Sequence, residues 1–106
     1  MNKAQIEHLI NKIFKILPLA EEGNENIKDY IGSVMVQVNG AAETSKDFFS
    51  LPKNREKLID ISNSINYLKT NEFTLNECRR EVFKCTGILA RMKEDQYGLE
   101  SFWKKC

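Results

Sequence analysis

The residues that could do chemistry crowd into FTLNECRREVFKC, positions 73 to 85: two cysteines, two adjacent arginines and the acids Glu77 and Glu81. Thiolates are nucleophiles and metal ligands, which makes Cys78 and Cys85 the first candidates. Their separation of seven residues is about 10.5 Å along a helix, too far to hold one ion side by side or to form a disulfide with each other. The single histidine, His8, lies off the apolar stripe of its own segment and reads as solvated, so no zinc site is expected. Nor is a histidine-activated thiol or serine expected. The chain has no G-x-S-x-G elbow, no Walker loop and no G-x-G-x-x-G cradle. Glu21, Glu22, Asp29 and Asp60 are acids of the kind any exposed helix carries. The expectation is a protein that is not an enzyme, with no catalytic residue, no cofactor and no metal.

Two surface chemistries remain. Arg80, Lys84 and Arg91, at i, i+4 and i+11, form a basic stripe flanked by Arg79 and Lys93, which is the pattern of a phosphate-binding helix. Glu77, Glu81 and Glu94 on the same segment weaken that field, so nucleic acid is the alternative partner and not the first. Phe83, Gly87 and Ala90, at i, i+4 and i+7, form an aromatic and small-residue group beside the stripe. Within a bundle it would pack against the first or second helix; left open, it is a protein-docking surface bordered by Arg80, Lys84 and Arg91.

Composition narrows the class further. A length of 106 residues suits one domain, 1–106, with a real core. With 42% hydrophobic and 29% charged residues, only five Gly and two Pro, the chain is not of a disordered or low-complexity type. The formal charge of +1 gives little overall drive toward nucleic acid or an anionic membrane. Charge is split mildly, −2 over residues 1 to 50 and +3 over the remainder. No signal-peptide block or membrane span is visible, three cysteines suit no disulfide scaffold, and no Asn-x-Ser/Thr site occurs, so a cytoplasmic protein is expected.

The elements that must position these residues are helical. Ile6, Leu9, Ile10, Ile13, Phe14 and Leu17 share one stripe of a helix over about residues 3 to 17, which Pro18 should end, with AEEGNEN as a connection. Apolar residues from Ile27 to Phe48 or Phe49 continue the period across 25 to 49, predicting a second helix broken or kinked near Asn39-Gly40. A strand at VMVQV, 34 to 38, is the competing reading, weakened by the lack of a second β-rich run to pair with it. A third helix opens after Leu51-Pro52 and runs to about Asn71, with Leu58, Ile61, Ile65 and Leu68 at a/d spacing. After a short link, Thr74 and Glu77 form a capping box, which Phe73 can staple onto Cys78. They open a fourth helix whose seam is Leu75, Cys78, Val82, Cys85, Leu89 and Met92. Both cysteines thus read as core residues. Gly98 should close this helix, leaving a short aromatic tail with Leu99, Phe102 and Trp103 on one side and a terminal, exposed Cys106.

The expected fold is all-α, a small antiparallel four-helix bundle-like domain with a C-terminal helical hairpin. The expected function is non-enzymatic binding of another protein through a helix surface, with Arg80, Phe83, Lys84, Gly87, Arg91, Phe102 and Trp103 as partner-binding residues. A homodimer is a second expectation, completed through the hairpin seam or the tail. Small helical adaptors, chaperones, immunity proteins and inhibitors of bacterial or phage origin offer analogies of size and class alone.

Overall fold

The structure is a computed structural model, and it describes residues 2–97. Over these residues the chain forms six helices and no strand: α1 Lys3–Phe14, α2 Ile16–Glu22, α3 Ile27–Thr44, α4 Lys46–Ser50, α5 Pro52–Thr70 and α6 Leu75–Tyr97. Cross-helix pairs set their directions. Glu7 meets Lys93 and Glu21 meets Arg79, so α1 and α2 run antiparallel to α6. Lys57 meets Asp95 and Tyr67 meets Glu77, which makes α5 and α6 the expected antiparallel hairpin. Tyr30 reaches the Lys12 carbonyl and Lys28 the Leu68 carbonyl, so α3 runs antiparallel to both α1 and α5. The result is an up-down-up-down bundle in which α4 is a short turn packed on α3 and α5.

The core follows the helical stripes. Ile6, Leu9 and Ile13 of α1, Ile16 of α2, Ile31, Val34 and Val38 of α3, and Ile61, Ile65 and Leu68 of α5 are buried in one cluster. From α6 the cluster takes Cys78, Val82, Cys85, Leu89 and Met92, the expected seam apart from half-buried Leu75. Each fully buried aliphatic side chain contributes about 2 kcal/mol, and truncating one such as Ile65 to Ala costs roughly 2–5 kcal/mol.

Three boundaries differ from the sequence expectation. The first helix ends at Phe14, and the chain resumes as α2 straight through Pro18. Proline cannot donate to the carbonyl four residues back and its ring crowds that carbonyl, so the interruption falls one turn upstream, at Lys15. Pro18 then occupies the first turn of the next helix, where its missing N–H goes unnoticed. The shift brings Ile16 into the core and leaves Phe14 partly exposed. It also makes Ala20, Glu21 and Glu22 helical; α2 ends at Gly23, whose φ of +65° permits the N–H groups of Gly23 and Asn24 to reach the Ala20 and Leu19 carbonyls.

The second helix passes unbroken through Asn39-Gly40, because glycine in an exposed helix interior is tolerated at about 1 kcal/mol. The break comes instead at Ser45, with φ −124° and ψ 45°. Turning there lets α4 bury Phe49, stacked edge-on against Phe48 at 4.9 Å. Residues 34 to 38 are helical, not strand: Val34 and Val38 are buried while Val36 is 68% exposed. A strand would have put all three on one face.

Local signals hold the ends. Asn2 and Gln5 form a reciprocal capping box at α1, each backbone N–H bonding the other's side chain at 2.8 Å. Thr74 and Glu77 do the same at α6, at 2.9 and 3.1 Å. The Lys28 ammonium caps the C-terminus of α5 by donating to the Leu68 and Asn71 carbonyls, and lies 4.5 Å from the Phe73 ring centroid. No helix among the described residues is long and apolar enough to cross a membrane.

Candidate functional site

Phe14 ends α1 and Phe83 projects from the flank of α6 beside it, and the two rings meet edge to face with centroids 6.1 Å apart. They remain 38% and 55% exposed. Phe83 therefore packs on the first helix, as a bundle flank should, yet most of its surface still faces water. One turn further along α6 is Gly87, half-buried, over which the Arg91 side chain folds back: its Nη2 lies 3.8 Å from where a Cβ on Gly87 would stand. Ala90 continues the strip. The ion pairs Glu21–Arg79 at 3.7 Å and Glu7–Lys93 at 3.5 Å flank the aromatic pair along the α6 seam with α1 and α2. Such exposed pairs add little stability, on the order of 0–1 kcal/mol, but they tie these side chains to the seam.

Of the expected partner-binding residues, the structure brings Phe83, Lys84, Gly87 and Arg91 onto one face. Arg80 is beside them, with its Nε donating to Glu81 at 3.2 Å. Lys84 and Arg91 are exposed and meet no carboxylate within ion-pair distance among the described residues. Gly98, expected to close the last helix, and the tail residues Leu99, Phe102, Trp103 and Cys106 lie outside the described residues.

The acids of α6 are less available than their spacing suggests. Glu77 is taken up by Thr74 and Tyr67, Glu81 by Arg80, and Asp95 by Lys53 and Lys57. Glu94 alone among them is exposed without such a partner among the described residues.

Phe14 was expected in the buried stripe and is instead half of the exposed aromatic pair. The available signal was its position four residues before Pro18, where the helix has to give way. A second surface feature lies between the N-terminal half of α1 and the C-terminal half of α3: a groove of about 530 Å³ lined by Ala4, Gln5, His8, Val36, Gly40 and Thr44 among others. Val36, read within an apolar run, opens onto it.

The cysteine chemistry is muted. Burial pushes the Cys85 thiol up to about 11, and pushes Cys78 up also, against the opposing charge of Arg79. Cys85 Sγ faces the Ile61 carbonyl at 3.9 Å. Ser64 Oγ, buried beside Cys85, finds no partner at hydrogen-bonding geometry, so its contact with the sulfur is a weak one. Among the described residues no three His, Cys, Asp or Glu side chains gather in a way that could hold a metal ion.

The face of α1 and α6 thus offers an exposed aromatic pair and, beside it on α6, two cations that meet no carboxylate within ion-pair distance among the described residues. Such a surface can seat an apolar side chain and meet negative charge at its edge. The chain matches no protein-family model, no curated protein and no solved structure.

Proposed function

We propose that this chain is a non-enzymatic protein-binding module that docks a partner protein on the α1–α6 face, in the manner of a small adaptor, chaperone, immunity protein or inhibitor. The observation carrying this reading is Phe83, more than half exposed yet positioned against Phe14. Large aromatic side chains held rigidly at a surface are favoured interface anchors, since little side-chain freedom remains to be lost on binding. The same reading sets the protein in the cytoplasm, where buried Cys78 and Cys85 remain thiols. A homodimer through this face is disfavoured because it would bring two strips carrying Lys84 and Arg91 into one interface.

A photo-crosslinking amino acid at position 83, compared with one at the exposed Ile59 of α5, tests the proposal in host cells. The expected result is one discrete protein adduct from position 83 and none from position 59. Identical adducts at both positions, a crosslink to a second copy of the chain, or adducts with nucleic acid that vanish as salt rises would each overturn it.

A further inference from the structure

The charges around Phe83 name the chemistry of the partner segment. We infer, resting on the docking face proposed above, that it takes an acidic amphipathic segment: one whose apolar side chain sits on Phe14 and Phe83 while its carboxylates meet Arg91 and Lys84. Along α6, Arg79, Arg80 and Lys93 each have a carboxylate partner, in Glu21, Glu81 and Glu7. Lys84 and Arg91 have none among the described residues, and they stand two helical turns apart, about 10.5 Å along the axis, one on either side of Gly87.

Arg91 is more than a loose surface cation. Because Gly87 has no side chain, the Arg91 guanidinium can come close to the helix one turn back, its Nη2 lying 3.8 Å from where a Cβ on Gly87 would stand. A planar fork laid beside an apolar patch suits a carboxylate held on the same segment as an apolar anchor. Glu94, exposed one turn beyond Ala90, gives the surface a direction. Acidic residues of the segment belong opposite Lys84 and Arg91, and none belongs past Arg91 toward Glu94. Of the remaining acids of α6, Glu81 and Asp95 are offset by Arg80 and Lys57, while Glu77 keeps its charge at the far end of the helix, about 10.5 Å along the axis from Lys84. Apolar burial on Phe83 supplies most of the affinity, and the cations supply selection among partners.

The test is selection of displayed random peptides on the purified 106-residue chain. The expected outcome is enrichment of peptides of net negative charge carrying an aromatic or branched aliphatic residue. Their affinity should fall more than about tenfold in Phe83→Ala, and about tenfold in the double variant Lys84→Glu, Arg91→Glu. It should rise severalfold in Glu94→Lys, and weaken as salt is raised from about 50 to about 500 mM. Thermal melts of each variant, with Phe83→Leu standing in should Phe83→Ala melt early, separate lost binding from lost fold.

Enriched peptides that need Phe83 but are neutral or basic, or are indifferent to the charge reversals, would overturn the acidic preference and leave the docking face standing. Peptides indifferent to Phe83, or no enrichment at all, would remove the docking face with it. A soluble polyanion that competes through Lys84 and Arg91 without need of Phe83 would assign the strip to nucleic acid and overturn the inference.

Discussion

Tyr67 of α5 donates a 2.9 Å hydrogen bond to Glu77 Oε2 of α6, while the other oxygen of Glu77 accepts the Thr74 N–H at the same distance. A single carboxylate thus caps its own helix and ties it to the neighbouring one across the hairpin link. The Thr74 N–H first and the Tyr67 hydroxyl second hold the Glu77 carboxyl below the usual carboxylate range. Asp95 is lowered likewise, chiefly by its bond with Lys57 at the other end of the same pair of helices.

A carboxyl whose pKa is depressed on folding contributes stability that is present above its unfolded value, near 4 or about 4.3 for Asp and Glu, and is lost as pH falls through the folded value. Urea midpoints should therefore hold steady from neutral pH down to about 5 and decline below about 4. In Glu77→Gln the neutral midpoint should be lower and the acid decline shallower than in the parent chain. Equilibrium urea titrations at a series of pH values check both.

The helical phase of residues 34 to 38 is testable by truncation. Val34→Ala and Val38→Ala should each lower stability by about 2 kcal/mol, since both side chains are buried. Val36→Ala, at an exposed position, should change it by less than about 0.5 kcal/mol. Equal losses at all three positions, measured by chemical denaturation, would point to a strand face instead.

Two glycines should answer oppositely to alanine. At Gly40 nothing stands within 4 Å of an added Cβ and the backbone is helical, so Gly40→Ala should stabilise by about 0.5–1 kcal/mol. At Gly23 space is also open, but the positive φ makes Gly23→Ala destabilising by about 1 kcal/mol or more. Thermal melts of the two variants side by side make the comparison.

Thiol reactivity reports the core directly. In a Cys106→Ser chain, Cys78 and Cys85 should react with a thiol-specific reagent only as fast as the protein opens, with the rate rising steeply through the urea transition. Rapid reaction of either in native buffer would show that the α5–α6 seam is not closed around them.

Much of the architecture is legible in the residues because it rests on short-range rules. The steps of 3 and 4 from Leu75 to Met92, the Thr74–Glu77 cap pair, and Pro52 at a first turn are set within one or two turns of chain. Such rules determined an all-α bundle with a C-terminal hairpin, and put both early cysteines inside. What they could not determine is where a helix yields when two requirements compete. Pro18 calls for a break in the turn before it but does not say whether the chain resumes as helix beyond; here Ile13 and Ile16, on either side of Lys15, are both buried and α2 continues through Pro18. Gly40 could have ended α3, but the need to bury Phe49 moved the turn to Ser45. The fate of Phe83 was decided the same way: periodicity put it on the flank of α6, and only the position of Phe14 at the displaced end of α1 made the two an exposed pair. Local hydrogen bonding and periodicity act along the chain and can be read there, whereas exposure is a property of what other segments cover, and that is settled only when the helices are in place.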